Sequence, residues 1–189
     1  MTGLRNEVRI IAGRWRGRRL RFPDGCDIRP TPDRVRETLF NWLQPNIEGA
    51  RCLDLFAGSG ALGIEALSRG ADSVVLVERD PRVAAYLQAT LTQLEARGGE
   101  VRRADAHAFL RSAGRRCDLV FLDPPFAEGS LAPLLATLAG SGQLAPGARV
   151  YIEHAARDGL PPLPAGLAPW RSKRAGEVGY HLLAWEGGA

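Results

Sequence analysis

Short apolar segments alternate with helical patterns between residues 50 and 153, and this alternation restricts the chain to few folds. The predicted strands are 52–56, 73–78, 101–104, 118–122 and 148–153. Strands that are apolar along their whole length are buried on both faces, as in parallel sheets covered by helices. Two further segments, 168–174 and 178–185, have no helix between them and predict an antiparallel hairpin. We therefore expect a Rossmann-like α/β fold with a mostly parallel seven-stranded sheet that ends in an antiparallel hairpin.

The amino-terminal segment has a different pattern from the rest of the chain. Residues 7–22 alternate apolar and basic side chains around Gly13 and Gly17, which predicts a small β-ribbon. A helix is predicted over 32–44, with Thr31 as its cap and its end before Pro45. We therefore divide the chain into a basic extension, 1–45, and a main domain, 46–189.

The positive charge is concentrated in this extension. The whole chain has a net charge of +4, but residues 1–36 carry +6 and residues 37–189 carry −2. Arginine accounts for nearly all of it, since Lys173 is the only lysine. Because guanidinium groups pair well with phosphate oxygens, the distribution favours a nucleic-acid partner for the amino-terminal end.

Several other classes of protein are disfavoured. No apolar run approaches the ~18 residues that span a bilayer, and the amino terminus has no apolar segment typical of a signal peptide. The three cysteines are widely spaced, with no CxxC pair or Cys/His cluster, so we expect neither a disulfide framework nor a metal site. These features predict a cytosolic globular protein with reduced thiols.

A glycine-rich turn follows the first predicted strand of the main domain. Gly58, Gly60 and Gly63 fit the GxGxxG spacing, and Glu78 ends the next strand, which is the pattern of a dinucleotide site. Asp54, four residues before Gly58, instead suits a cationic ligand. The order DLFAGSG resembles motif I of the class I S-adenosylmethionine-dependent methyltransferases. On this resemblance the predicted cofactor-binding residues are Asp54, Phe56, Ala57, Gly58, Gly60, Glu78, Arg79, Asp105 and Ala106, although each position also fits a tight turn or a helix cap.

The tetrapeptide Asp123-Pro124-Pro125-Phe126 follows the apolar strand DLVFL. A bare Pro-Pro pair can simply end a strand. With a carboxylate before it and an aromatic ring after it, the segment can also hold an exocyclic amino group. Asp123 and the Pro124 carbonyl would accept its hydrogens, and Phe126 would stack on a base removed from its nucleic-acid stack. We predict these four residues as the catalytic segment. It resembles motif IV of amino-methyltransferases, which does not separate adenine N6 from guanine N2.

The amino-terminal motifs narrow this resemblance. The segments RIIAGRWRGRRL, RPTPDRVRETLFN and, near the end, KRAGEVGYHLL are similar to those of the RsmD family of bacterial 16S rRNA (guanine-N2)-methyltransferases. The resemblance implies S-adenosylmethionine as cofactor and 16S rRNA as partner, within an assembled or assembling small subunit. It implies a lid over 29–37. It also implies RNA contacts from Arg14, Arg16, Arg18, Arg19, Arg29, Arg34 and Arg36, and for Arg34 and Arg36 an ordinary solvated helix face is an equal alternative.

Other hypotheses stay open on the sequence alone. An N6-adenine methyltransferase has the same motifs I and IV. An NAD(P)-dependent oxidoreductase explains the glycines and Glu78 but not the DPPF segment or the arginines. A non-catalytic RNA-binding module would not need intact motifs I and IV.

Trp15 and Phe22 are expected to pack within the ribbon rather than stack on bases.

Overall fold

The computed structural model describes residues 6–26, 28, 30–112, 114–125 and 131–187. Two short strands, β1 (Glu7–Arg9) and β2 (Arg19–Arg21), form an antiparallel ribbon. The main sheet contains β3 (Arg51–Asp54), β4 (Ser73–Glu78), β5 (Gly99–Arg103), β6 (Cys117–Leu122), β7 (Leu144–Ala155), β8 (Leu167–Ala175) and β9 (Val178–Trp185). The helices are α1 (Asp33–Ile47), α2 (Ala61–Ser68), α3 (Pro81–Gln93), α4 (Ala106–Arg111) and α5 (Leu131–Gly140).

The main sheet has the strand order β5-β4-β3-β6-β7-β9-β8. The first five of these strands are parallel, and β9 pairs antiparallel with both β7 and β8. This confirms the predicted seven-stranded, mostly parallel sheet and its closing hairpin. The chain leaves β3 toward one edge of the sheet and returns to β6 on the other side of β3, so the two strands flank a topological switch point.

Helices cover both faces of the sheet, as the apolar strands require. One face packs against the ribbon, α1, α2 and α3 through side chains such as Leu39, Ile64 and Leu87. The other packs against α4 and α5 through side chains such as Leu110 and Leu135. Trp15 and Phe22 are 8% and 7% exposed, which confirms that they pack in the interior rather than present free rings.

Helix α1 differs from the prediction at both ends. It continues through Pro45 to Ile47, because a proline in the last turn removes one hydrogen bond while Ile47 remains buried in the core. Its amino end has no side-chain cap hydrogen bond, so the predicted capping role of Thr31 is wrong. The Thr31 hydroxyl is used elsewhere, at the cleft described below.

A fully buried carboxylate on α2 joins the extension to the sheet. Glu65 is 0% exposed, and its oxygens accept from the backbone N–H groups of Ile11 (2.8 Å) and Ala12 (3.0 Å) in the turn of the ribbon. They also accept from Arg69 Nε (2.7 Å) and Arg36 Nη1 (3.5 Å). An ionised carboxylate can accept about four hydrogen bonds, so these four donors stabilise the negative charge of Glu65 in the interior.

The Arg36 side chain completes this cluster, and the predicted RNA contact for Arg36 is wrong. It is 1% exposed, and its guanidinium donates to the carbonyl oxygens of Thr31 (3.2 Å) and Arg9 (2.9 Å) and to Asp33 (2.6 Å) as well as to Glu65. Arg36 lies on the inner face of α1, where Glu65 balances its charge. A guanidinium buried in this way cannot reach a phosphate outside the protein.

The ribbon turn is also held at the carboxyl end of α2. Arg14 N donates to the Ser68 carbonyl (2.7 Å), and Trp15 N donates to the Ser68 hydroxyl (3.0 Å). Gly13 has φ +80°, and a Cβ at this position would lie 1.8 Å from the Ser68 carbonyl oxygen, so only glycine allows this approach.

Among the described residues, no helix is long and apolar enough to cross a membrane.

We expect Glu65→Gln to destabilise the protein by about 3 kcal/mol, because the amide leaves the buried Arg36 charge uncompensated and turns an NH2 group toward donors. Urea unfolding measures the change. Arg34→Ala is the matched control, since Arg34 is exposed on the same helix as Arg36 and its loss is expected to stay within about 0.5 kcal/mol of wild type. Equal stabilities for Glu65→Gln and Arg34→Ala would contradict the role of the buried cluster.

Candidate active site

A cleft of about 1400 Å³ lies at the carboxyl ends of the parallel strands. It includes the switch point between β3 and β6, where open α/β sheets bind their ligands. Acidic side chains from four adjacent strands or the turns after them line it: Asp54, Glu78, Asp123 and Glu153. Its volume exceeds that of a typical site for one small molecule, so the cleft can hold a cofactor and part of a second substrate.

Internal hydrogen bonds shape the glycine-rich turn at this cleft. Gly58 N donates to Glu78 Oε2 (3.0 Å), and Gly63 N donates to Asp54 Oδ2 (3.0 Å). Gly60 has φ +79° and its N–H donates to the Ala57 carbonyl (2.7 Å). These N–H groups are therefore directed at protein acceptors.

This arrangement favours a cationic ligand over a dinucleotide. A pyrophosphate would need the backbone N–H groups that Gly58 and Gly60 direct to Glu78 and Ala57, and it would lie beside several carboxylates. A positively charged ligand would instead be attracted to the acidic groups of the cleft. The geometry thus disfavours the NAD(P)-dependent alternative.

Asp54, the last residue of β3, has a raised pKa. It is 2% exposed, and burial raises its pKa from 3.8 to about 7, although hydrogen bonds from the backbone of Gly63 and Phe56 act in the opposite direction. The negative charge of Glu78 raises it further. A cation bound nearby would therefore favour ionised Asp54.

Asp123 lies next to a second carboxyl group, Glu153. The Thr31 hydroxyl is 3.3 Å from Asp123 Oδ2 and 3.0 Å from Glu153 Oε1, and the Tyr151 hydroxyl donates to Glu153 Oε1 (2.8 Å). Burial, together with the charges of Glu153 and Asp54, raises the pKa of Asp123 well above its ordinary value. Burial also raises the pKa of Glu153, while the bonds from Tyr151 and Thr31 lower it.

The structure brings most of the predicted site residues to this one cleft. Its lining includes Asp54, Phe56, Ala57, Gly58, Glu78, Arg79, Asp105, Ala106, Asp123, Pro124 and Pro125. Gly60 does not line it and instead turns the chain into α2, closely packed on Ile64 and Leu87. Asp105 caps α4 by accepting from Ala108 N (3.0 Å) while remaining at the cleft. Phe126 and Arg29 lie outside the described residues.

The predicted RNA-binding arginines are spread over the surface. Arg14, Arg16 and Arg18 are exposed in the ribbon turn, at the end of α2 away from the glycine-rich turn. Arg19 is exposed in a recess beside the cleft, together with Arg9 and the segment 30–33. Arg34 is exposed on α1.

Sequence reasoning missed several residues of the cleft. Thr31, Tyr151 and Glu153 form the hydrogen-bonded group beside Asp123. An acidic residue at the end of an otherwise apolar strand was the available signal for Glu153. Arg157 and Arg174 are exposed at the cleft wall, and their separation in the sequence gave no hint that they line the same cleft.

Known proteins resemble this chain over nearly its whole length. A family model described as "Conserved hypothetical protein 95" matches residues 8–184. The Ribosomal RNA small subunit methyltransferase D of Escherichia coli K12 is 48% identical over 180 residues, covering 95% of this chain and 91% of that protein. The chain belongs to the RsmD family.

Other comparisons agree with this family or with the fold. The protein of the same name from Haemophilus influenzae is 42% identical, covering 94% of each chain. A solved Escherichia coli structure is 46% identical with a TM-score of 0.90, covering 96% of this chain and 99% of that one. An RNA methyltransferase from Salinibacter ruber, solved with S-adenosyl-L-homocysteine, shares the fold at a TM-score of 0.64 and 20% identity, covering 85% of this chain and 96% of that one.

We expect the Asp54 carboxyl group to make the folded protein less stable as pH rises from about 4 to about 7. Its pKa is raised in the folded protein, so over this range the unfolded chain has released a proton that the folded chain still holds. Asp54→Asn retains an acceptor for Gly63 N and should flatten the fall in unfolding free energy, measured by urea unfolding at each pH.

Asp118→Asn is the matched control for this measurement. Arg51 lowers the pKa of Asp118, so its titration lies below the range and the slope should equal that of wild type. Equal slopes for Asp54→Asn and wild type would show that Asp54 titrates normally.

Proposed function

We propose that this chain transfers a methyl group from S-adenosylmethionine to the exocyclic N2 amino group of a guanine in 16S rRNA of the small ribosomal subunit. One observation carries the proposal. Asp123 and Pro124 line the same cleft as the acidic glycine-rich turn, so an amino group and a cationic cofactor can meet there. The names of the relatives support ribosomal RNA of the small subunit as the substrate.

The residues of the cleft fit this cofactor. Ionised Asp54 would attract the cationic part of the cofactor, and Glu78 would accept from the ribose hydroxyls while its oxygens continue to accept from Gly58 N and Asp80 N. Asp105 and Ala106 line the part of the cleft beyond β5, where a base could lie. When bound, S-adenosylmethionine supplies an electrophilic methyl group on a sulfonium.

The target amino group would be held by Asp123 and the Pro124 carbonyl. The lone pair of an amino nitrogen on a purine is delocalised into the ring, so the group is a poor nucleophile. Two acceptors that hydrogen-bond to the amino N–H groups would direct the lone pair toward the methyl group. After the transfer, Asp123 would receive the proton that leaves the nitrogen. Rigid positioning by the Pro-Pro pair would supply much of the acceleration.

The amino-terminal extension would close this site and contact RNA. The Thr31 hydroxyl lies within hydrogen-bond distance of both Asp123 and Glu153, which supports a role of the 29–37 segment as a lid. Exposed arginines would pair with RNA phosphates, four of them in the ribbon and one on α1: Arg14, Arg16, Arg18, Arg19 and Arg34.

We also propose a cytoplasmic location, consistent with Cys26, Cys52 and Cys117 being free thiols.

We expect Asp123→Asn to lower methyl transfer by about 100-fold or more, because an amide cannot accept the departing proton and holds the amino group less well. The assay uses labelled S-adenosylmethionine and small subunits that lack the modification, followed by nucleoside mapping. Affinity for S-adenosylhomocysteine should change only a few-fold. Asp118→Asn, in the strand that precedes Asp123 but outside the cleft, is the control.

Two outcomes would refute the proposal. Label found in N6-methyladenine would show that the protein methylates adenine instead of guanine. If the wild-type protein transfers no methyl group, it does not have the proposed activity.

We expect Arg16→Ala, Arg18→Ala and Arg19→Ala, combined, to weaken RNA binding and to flatten its salt dependence. Each lost phosphate contact should lower the log–log slope by about 0.7 to 0.9. Binding is measured over a series of salt concentrations. Arg116→Ala is the control, since Arg116 is exposed before β6 and distant from the ribbon in sequence. An unchanged slope in the triple variant would remove the ribbon from the RNA interface.

A further inference from the structure

Glu153 has no role in the transfer described above, yet the fold places it beside the reacting group. Strands β6 and β7 are parallel neighbours, with Leu122 opposite Ile152. The next residues along the chain are Asp123, directly after β6, and Glu153, within β7. The Thr31 hydroxyl lies 3.3 Å from Asp123 Oδ2 and 3.0 Å from Glu153 Oε1, so the two carboxyl groups lie close together. Both line the cleft.

Hydrogen bonds hold the Glu153 carboxyl group in one position. Oε1 accepts from Tyr151 (2.8 Å) and Thr31 (3.0 Å), and the Tyr151 side chain is 0% exposed. The other oxygen, Oε2, accepts no hydrogen bond from any residue that the structure describes. Glu153 itself is 3% exposed. A fixed and nearly buried acceptor with one oxygen unused is suited to a donor supplied by a ligand.

We propose that Glu153 accepts a hydrogen bond from N1–H of the target guanine and thereby selects guanine over adenine. This inference rests on the proposed function. Guanine presents N1–H directly beside its N2 amino group. When Asp123 and the Pro124 carbonyl accept hydrogen bonds from the amino group, N1–H is the next donor along the same edge of the base.

Adenine would meet a repulsive contact in the same position. With its N6 amino group at Asp123, the neighbouring ring nitrogens N1 and N7 are both acceptors and present lone pairs. Either one facing Glu153 Oε2 would leave a buried acceptor without a hydrogen. The pair of carboxyl groups therefore matches a base that has two adjacent donor groups.

The charge of the site is compatible with this role. Burial raises the pKa of Glu153, and the hydrogen bonds from Tyr151 and Thr31 act in the opposite direction. A hydrogen bond from N1–H would add to the effect of these two bonds and favour the ionised carboxylate. Thr31 has a single hydroxyl hydrogen, so it can serve only one of the two acids at a time.

The test compares two bases at the nucleotide that the wild-type protein methylates. Small subunits are reconstituted with guanine or with 2,6-diaminopurine there, a base that keeps the 2-amino group but has a lone pair at N1. With labelled S-adenosylmethionine, wild type should favour guanine in kcat/KM by about tenfold or more. Glu153→Gln, whose amide can donate to that lone pair, should reduce this preference by about tenfold.

Glu153→Asp is the matched variant, because it keeps the carboxylate but shortens its reach. It should slow both substrates and still favour guanine. A purely structural role for Glu153 predicts instead that Glu153→Gln slows both substrates equally, and this result would overturn the inference.

The wild-type measurement separates the possible failures, even when Glu153→Gln does not fold. If the wild type methylates guanine and accepts 2,6-diaminopurine equally well, the inference about Glu153 is wrong while the proposed function stands. If the wild type transfers no methyl group to guanine, the proposed function itself is wrong.

Discussion

The carboxylate of Glu65 is the interaction on which the arrangement of the amino-terminal half depends. It accepts four hydrogen bonds, two from the ribbon backbone and one each from Arg36 on α1 and Arg69 directly after α2. Arg36 in turn holds the carbonyl oxygen of Thr31. A chain of hydrogen bonds therefore leads from the buried interior of α2 to the residue that contacts Asp123. The extension is attached to the main domain through the same contacts that place Thr31 at the cleft.

The cleft itself combines acidic groups that would repel one another without ligands. Asp54 and Glu78 lie around the glycine-rich turn, and Asp123 and Glu153 lie beside the proposed position of the target base. Burial and mutual repulsion raise the pKa of Asp54 to about 7 and that of Asp123 well above its ordinary range. A cationic cofactor and the donor edge of guanine would each relieve part of this repulsion. The electrostatics therefore favour the two proposed ligands together.

Much of the fold and part of the site could be predicted from the sequence. Strand β4 has its predicted limits, 73–78, because a six-residue run rich in valine and flanked by turn residues favours a strand over a helix. Motif spacing also located Asp54, Glu78 and Asp123, since all lie at the carboxyl ends of strands that meet at one edge. These features are local or follow directly from the topology.

The remaining features depend on contacts between distant residues. Arg36 has the sequence environment of a surface arginine, and only the position of Glu65, 29 residues later, shows that it is buried. The Thr31 hydroxyl was expected to cap α1, but its partner Glu153 lies 122 residues away. Pro45 was expected to end α1, and the burial of Ile47 extends the helix beyond it. No local pattern contains this information.

The central claim is that one cleft holds the cofactor and presents the guanine amino group to it. A crystal structure of the full chain with S-adenosylhomocysteine and an RNA fragment containing the target nucleotide tests this most directly. The ribose of the cofactor is expected at Glu78, the guanine N2 within hydrogen-bonding distance of Asp123 and the Pro124 carbonyl, and N1 beside Glu153. A cofactor bound outside this cleft, or a guanine whose N2 points away from Asp123, would contradict it.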